Sequence, residues 1–471
     1  MLLLSCGGAS SHKMPDRLTI EKTIEKGEFS EASKMIGLYL ASDTISPTER
    51  YQMTFLLDWM KRVRRDFSQH DTSVISYIKR HYPEVTPDEI AAWEKSNALE
   101  NMTIDGQKFY FNSAGRNLFR IDSDAAQHFQ HPNAGQSDSL DRFLEWHVPK
   151  IVNMAKSRNT VYTSPVTMRV KYTLSVNPNE VPEGETVRVW MPYPRTDAKS
   201  HTNIKLHSTS QPLYIIAPDT YAHKSIYMEG TAKKDEPTVF SYEFSYTSFA
   251  QVHLFKPEDI KEYDKESDLY NEYTQQRAPH TLFSENIMNA VKEAVGEETN
   301  PYLKAKRIFT WIDSRFPWAS AREYSTIPNI PEYVLANHHG DCGQVSLLFI
   351  TMARAAGIPA KWQSGWMMHP GNRNLHDWAE VYFEGIGWVP VDQSFGRVKG
   401  TEEDKDSYYF FTKGLDAYRL IVNDDFSREF FPAKIHHRSE TVDFQRGEVE
   451  WKGENLYFGR WRYRMEIEYP N

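Results

Sequence analysis

The stretch Asn337-His338-His339-Gly340-Asp341-Cys342-Gly343-Gln344 runs directly into Val345-Ser346-Leu347-Leu348-Phe349-Ile350. A polar, glycine-punctuated turn therefore feeds an apolar run, with one cysteine at the junction. Apolar and small residues continue through Met352, Ala353, Ala355 and Ala356 to Gly357-Ile358-Pro359. This is too long for an ordinary buried strand, and Gly followed by Pro is a helix stop. The pattern predicts a buried helix from about Cys342 to about Ala356, with Cys342 in its first turn. The unpaired N–H groups and the dipole at a helix start favour an anion. A thiolate is an anion, so a cysteine in this position is expected to have a lowered pKa and raised reactivity. The competing reading is a buried cysteine with no chemical role.

The next segment supplies partners for the thiol. Asn374 to Phe383 reads as a strand, Glu384-Gly385-Ile386-Gly387 as a turn, and Trp388-Val389-Pro390-Val391-Asp392 as a returning strand. A three-residue loop of Phe383, Glu384 and Gly385 would place the glycine where φ > 0 is wanted. It would also set His376 directly opposite Asp392 on one face, with Cα atoms about 5 Å apart. A slip of one residue would put them on opposite faces. A cysteine at a helix start, a histidine on a strand and an aspartate facing it make nucleophile, base and orienter.

These residues carry a resemblance. Gly340-Asp341-Cys342-Gly343, the helix end Ala356-Gly357-Ile358-Pro359-Ala360-Lys361, His376-Asp377-Trp378-Ala379-Glu380-Val381 and Gly387-Trp388-Val389-Pro390-Val391-Asp392 resemble the core of the transglutaminase-like superfamily. The match spans roughly residues 283 to 396, about a quarter of the chain. The resemblance implies a papain-like site with Cys342 as nucleophile, His376 as base and Asp392 as its partner. In the cross-linking relatives a tryptophan upstream of the nucleophile donates its indole N–H to the oxyanion, which makes Trp318 the candidate here. Asn337, by analogy with the papain-type amide, and a plain core tryptophan are the alternatives. The Cys342 backbone N–H is the other expected donor. Lys361 stands where many relatives have arginine.

Length and composition frame the rest. At 471 residues, 40% hydrophobic and 25% charged, the chain is a soluble globular protein of several domains. A net charge of −9 leaves no electrostatic footprint for nucleic acid. No stretch is long enough to span a membrane. With only two cysteines a disulfide framework is excluded. The second, Cys6, sits in Leu2-Leu3-Leu4-Ser5-Cys6, which resembles a bacterial lipobox, and Gly7 to Lys13 would serve as a tether. Against this, only Met1 to Leu4 precede Ser5, whereas a signal core usually has about 7–15 apolar residues. Lipidation at Cys6 is the expectation, with membrane association only through that anchor and a bacterial cell-envelope location.

Along the chain, Asp16 to Phe67 has helical spacing, with Ser46-Pro47-Thr48-Glu49 as a capping box. Thr86-Pro87-Asp88-Glu89 is another, and Asp105-Gly106 joins Met102-Thr103-Ile104 to Gln107 through Phe111 as a hairpin. Helix, helix, hairpin has the outline of a winged helix, for which a packing or protein-docking role is expected rather than nucleic-acid binding. From Thr167 the period becomes two: Met168, Val170, Tyr172, Leu174 and Val176, then Val187, Val189 and Met191, then Phe240, Tyr242, Phe244 and Tyr246. Such strands make an antiparallel β-sandwich. Helical signals return at Ser284 and at Pro301. A charged linker, Thr401 to Asp406, leads to a tail whose clearest strand is Trp461 to Tyr469, expected to pair within the tail or to complete the sandwich.

The expected class is thus α+β, a papain/transglutaminase-like core preceded by an N-terminal helical region and an antiparallel β-sandwich. The expected domains are 1–15 signal remnant and tether, 16–160 helical, 164–255 sandwich, 256–400 catalytic core and 401–471 C-terminal extension. His338, His339, Asp341 and Cys342 lack the spaced pairs of a structural zinc site, so no metal or cofactor is expected. Trp366, Trp378 and Trp388 are candidates for lining a substrate cleft. The expected activity is cleavage of peptide or protein amide bonds through a Cys342 thioester, with hydrolysis favoured over amine transfer. The alternative is a catalytically idle protein on the same fold that binds peptide or glycan. A protein partner would dock on the N-terminal helices.

Overall fold

Residues 15–129 and 139–470 are described by the computed structural model. Cys6, and with it the lipidation reading, lies outside the described residues. The chain divides into two units, Met1–Phe129 and Gln130–Asn471. Among the described residues no helix is long and apolar enough to cross a membrane.

The first unit opens with helices Arg17–Glu25, Phe29–Leu40 and Pro47–Asp66. Ser46 and Glu49 close the capping box of the third, as Thr86 and Glu89 do for helix Pro87–Lys95. Between these lie strand β1 (Phe67–Gln69) and helix Asp71–His81. Strands β2 (Asn101–Ile104) and β3 (Gln107–Phe111) form the hairpin, with Ile104 paired to Gln107. Asp105 and Gly106 have φ of 50° and 79°, as a two-residue type I′ turn requires. The sheet order is β1-β3-β2, so the winged-helix outline acquires a third strand. β1 is too short to show a period in the sequence. Phe29, Ile36, Val63, Ile78, Tyr110 and Leu118 form the core of this unit.

The second unit is built on three sheets and a helical layer. Strands β4 (Tyr162–Val176), β5 (Thr186–Pro192), β6 (His201–Thr209), β7 (Tyr214–Ile216), β8 (Ser225–Thr231) and β9 (Thr238–Val252) form the sandwich. Their alternating residues Tyr172, Leu174, Phe240, Tyr242, Phe244 and Tyr246 are its core. The site lies on a separate four-stranded antiparallel sheet. Its strands are β10 (Ala360–His369), β11 (Asn372–Phe383), β12 (Gly387–Val391) and, beyond the short β13 (Gly414–Leu415), β14 (Arg419–Asn423). They run in the order β12-β11-β10-β14. Helices Glu285–Val295, Pro301–Arg315, Ile330–Asn337 and Cys342–Ala355 share one apolar core with this sheet. The tail then returns to the sandwich. β15 (Glu448–Trp451) pairs with β5 and with β16 (Glu454–Asn455), and β17 (Trp461–Glu468) pairs with β4. The tail thus completes the sandwich.

Candidate active site

Cys342 is the first residue of a helix whose N-cap is Asp341. The Asp341 carboxylate accepts from the Gln344 N–H (3.1 Å), and the Gln344 side chain accepts from the Asp341 N–H (3.1 Å). This capping box fixes the first turn. Upstream, the Ala319 N–H donates to the Gly340 carbonyl (3.2 Å), and the Gly340 N–H donates to that of Pro317 (3.3 Å). The loop bearing Trp318 is thereby pinned to the turn two residues before Cys342, with Trp318 46% exposed. Gly343 has a steric reason. A Cβ there would lie 2.2 Å from the Tyr324 hydroxyl oxygen.

The hairpin carries the other two expected residues, in a register that differs from expectation. Ala379 faces Val391 and Phe383 faces Gly387, around a loop Glu384–Ile386 in which Gly385 has φ of 85°. His376 is therefore not opposite Asp392; the ladder is shifted by two residues. A shift of two preserves the face, and His376 Nε2 lies 2.8 Å from Asp392 Oδ2. A carboxylate only accepts, so the proton sits on Nε2 and Nδ1 is the basic nitrogen. The pair is buried, with His376 3% and Asp392 0% exposed. Phe395 packs edge-on against the imidazole at 4.9 Å. Burial lowers the His376 pKa, and Asp392 acts against that shift.

Asp392 has a second partner. Arg419 lies 3.1 Å from its Oδ2 and 3.2 Å from Asp416, which is itself 3.0 Å from His369. The guanidinium is stacked over Phe395 at 4.2 Å. Gly365, across the ladder from His376, allows β14 to approach. A Cβ there would fall 1.9 Å from the Leu420 carbonyl oxygen.

The thiol is placed differently from expectation. Cys342 Sγ lies 3.2 Å from Asp377 Oδ2, the residue after His376, on the opposite side of the strand. Gln445 donates to Asp377 Oδ1 (2.7 Å) and to the His376 carbonyl (2.8 Å), and so clamps the strand here. Tyr324 donates to Asp341 (2.8 Å) and reaches Asp377 Oδ2 at 3.5 Å. Burial, then Asp377 and Asp341, push the Cys342 thiol well above its usual range. The lowered pKa expected from the helix start is therefore overturned. The terminal dipole is outweighed by desolvation and two acidic neighbours. Burial likewise raises Asp341 to about 6, and Asp377 well above the usual carboxyl range.

The tryptophans divide. Trp366 and Trp378 are fully buried. Trp366 donates to the Gln445 carbonyl (2.9 Å) and stacks on Tyr172 of the sandwich, and Trp378 donates to the Gln363 side chain (2.8 Å). Both are core and present no face to a cleft, which corrects the expectation for them. Trp388 is half-buried at the turn end of the hairpin, between Tyr273 and Tyr382 and beneath Lys361. Sequence reasoning missed Asp377, Tyr324, Arg419 and Gln445. Asp377 lies in full view beside His376, whereas Arg419 and Gln445 come from segments with no local motif.

Comparison with known proteins bears on this site. Residues 289–393 match the model of the transglutaminase-like superfamily. The uncharacterised protein YebA of Bacillus subtilis is 24% identical over 131 residues, which is 24% of this chain and 18% of YebA. The chain thus spans less than a fifth of that relative's length. An uncharacterised Haemophilus influenzae protein is 25% identical over 265 residues, 48% of this chain and 69% of that protein. Among solved structures, a candidate cysteine protease from Cytophaga hutchinsonii aligns with a TM-score of 0.43 at 13% identity, covering 66% of this chain and 92% of that one. The periplasmic domain of TgpA from Pseudomonas aeruginosa aligns with a TM-score of 0.26 at 14% identity, covering 53% and 96%. The segment that holds Cys342, His376 and Asp392 is a member of the transglutaminase-like superfamily.

Proposed function

We propose that the chain is a thiol enzyme that acts on amide bonds of peptides or proteins through a Cys342 thioester. The observation that carries this is the buried His376–Asp392 pair at 2.8 Å, on the strand that runs past Cys342 at the helix start. In this reading Nδ1 of His376 takes the thiol proton, and the sulfur attacks the amide carbon. The Cys342 backbone N–H and the Trp318 indole meet the oxyanion, and the imidazolium returns its proton to the leaving amine. Asp392 holds the imidazole and stabilises its charged form. Water then releases the acid. Hydrolysis is favoured over transfer to an amine, and a cell-envelope protein or peptide is the proposed substrate. The N-terminal unit is proposed to dock a protein partner.

The second reading is a catalytically idle peptide- or glycan-binding protein, favoured by one observation: the thiol contacts Asp377. One experiment separates the two. A peptide library is incubated with the full chain and with Cys342→Ala, with and without a primary amine, and followed by mass spectrometry. New acids that need Cys342 support the hydrolase, and amine adducts that need it support transfer. Retention of peptide by both proteins without turnover supports the binding protein.

A further inference from the structure

We propose that Asp377 is a fourth member of the catalytic group and works as a neutral acid, with a proton held on the buried Asp377–Asp443 pair beside the Cys342 sulfur. This rests on the thiol-enzyme reading above and deepens it.

The argument begins with what surrounds Asp377. It is 2% exposed, and Asp443 is 4% exposed. Asp377 Oδ1 accepts from Gln445, while Oδ2 faces Cys342 Sγ at 3.2 Å and Tyr324 at 3.5 Å. Asp443 accepts from Ser364 (2.6 Å) and Asn423 (3.1 Å) and interacts directly with the Asp377 carboxyl. Among the described residues, neither carboxyl has an ion-pair partner. Of the nearby cations, Arg446 is engaged elsewhere, and Arg438 acts on Asp443 through its charge without pairing with the carboxyl. Arg446 is held by Glu323 (2.5 Å) and Glu440 (3.7 Å), and Arg438 donates to the backbone of Asp443 and Arg428 and to His223. Asp341, capped by Tyr324, adds a third acid close by. His376 faces the other side of the strand and spends its Nε2 on Asp392. Two carboxyls in contact do not both ionise, and a buried charge with no cation takes up a proton instead. Burial, then Asp443 and Asp341, raise Asp377. Burial also raises Asp443, against the lowering effect of its hydrogen bonds to Ser364, the Phe444 N–H and Asp377 and of the Arg438 charge, so the shared proton is held on the Asp377 side.

The consequence falls on the sulfur. Activation, in the reading above, brings Nδ1 of His376 to the thiol to take its proton, and the S⁻ so formed starts out against Asp377 Oδ2. A carboxylate there repels the thiolate, whereas a carboxylic acid does not and can donate its O–H to sulfur. A carboxylic acid kept neutral so that it can donate a hydrogen bond is a known device in enzyme sites. The competent form of the site is therefore the one in which this pair keeps its proton. Loss of that proton at alkaline pH switches the nucleophile down.

Asp377→Asn tests this in the full chain, because the amide is neutral at every pH, close in shape and able to donate to sulfur. The readout is the pH profile of Cys342 carboxamidomethylation by iodoacetamide, quantified at the peptide level with Cys342→Ala as blank. The variant should match wild type within about threefold near pH 6 and exceed it by about tenfold or more near pH 9, where Asp341 is charged in both proteins but only wild type gains a charge at position 377. Superimposed profiles would overturn the proposal. So would a variant faster than wild type by one factor at every pH, since Asp377 would then be ionised throughout. Thermal unfolding checks the fold; if the amide variant does not fold, Asp377→Ser is measured in the same way. Alkylation needs no substrate, so failure here is distinct from failure of the amidase reading, which is shown by turnover that is absent or survives Cys342→Ala.

Discussion

His376 and Asp392 are not opposite one another in their hairpin, yet Nε2 and Oδ2 are 2.8 Å apart. Asp392 lies just beyond the last ladder pair of β12, and its N–H is taken by the Phe411 carbonyl at 2.9 Å. Its carboxylate can therefore reach diagonally along the strand to the imidazole. Asp392→Asn keeps the shape and most hydrogen bonds but loses the charge that stabilises an imidazolium. In the proposed enzyme, kcat/KM should fall by about 10²–10⁴ with a melting temperature within a few degrees of wild type. Retained activity would mean that His376 does not act through Asp392.

The register shows what a sequence of this kind reveals. The alternation of His376, Trp378 and Glu380, and the turn glycine Gly385, determine which face each residue takes, because parity survives a shift of two. They do not determine which residue lies opposite which, because Glu384-Gly385-Ile386-Gly387 can close around more than one centre. The Cys342 helix was legible to within a residue at its end, since a polar turn, an apolar run and a Gly-x-Pro stop all agree. The carboxyl surroundings of the thiol were not. They are brought together from Tyr324, Asp341, Asp377, Asp443 and Gln445, and only tertiary packing places these on one spot. For the same reason Trp366 and Trp378 looked available to substrate: bulk is visible in a sequence, burial is not.

The raised thiol predicts slow chemistry at rest. With burial the largest opponent of ionisation and Asp341 adding to it, Cys342 should react with iodoacetamide at neutral pH more slowly than free cysteine, by about tenfold or more. The comparison is a peptide-level rate against a reference thiol. A rate above that of free cysteine would mean that His376 already holds the proton and that the resting site is an ion pair.

Arg419 is the counter-charge for two buried acids, Asp392 and Asp416. Asp416 is held well below the usual carboxyl range; burial acts against this, and His369 and Arg419 lead the groups that lower it. Arg419→Met fills similar volume but leaves those carboxylates without their cation. The loss in unfolding free energy should be about 3–5 kcal/mol, the usual cost of removing one partner of a buried pair. Urea unfolding measures it. A loss below about 1 kcal/mol would mean that His369 and His376 alone balance the two acids.

His339 gives a pH dependence with a definite sign. It is 3% exposed, and burial lowers its pKa to about 4. The unfolded chain takes up this proton near pH 6.5, before the folded one does. The contribution of neutral His339 is thus fully present above about pH 6.5 and is lost as pH falls toward 4. His339→Phe removes the group. The stability of wild type relative to this variant should therefore drop by about 2 kcal/mol between pH 7 and pH 5. Four urea titrations, each protein at both pH values, measure it, and an unchanged difference would place a protonated His339 in the fold.

Gly343 tests how the nucleophile turn is packed. A Cβ at this position would stand 2.2 Å from the Tyr324 oxygen and 2.7 Å from its ring. Tyr324 is buried and donates to Asp341, the cap of the Cys342 helix. It has no room to swing aside without leaving that bond. Gly343→Ala should therefore displace Tyr324 or tilt the first helical turn, and either movement shifts Sγ relative to His376. Overpacking of this kind costs about 1–3 kcal/mol, and a shift of about 1 Å at a reacting atom costs about a hundredfold in rate. Tyr324→Phe, Gly343→Ala should stay impaired, because the ring atoms clash as the oxygen does. Tyr324→Ala, Gly343→Ala should recover part of the activity lost by Gly343→Ala, because the space is then open. No recovery in that double variant would show that the tyrosine hydroxyl, and not the clash, governs the turn.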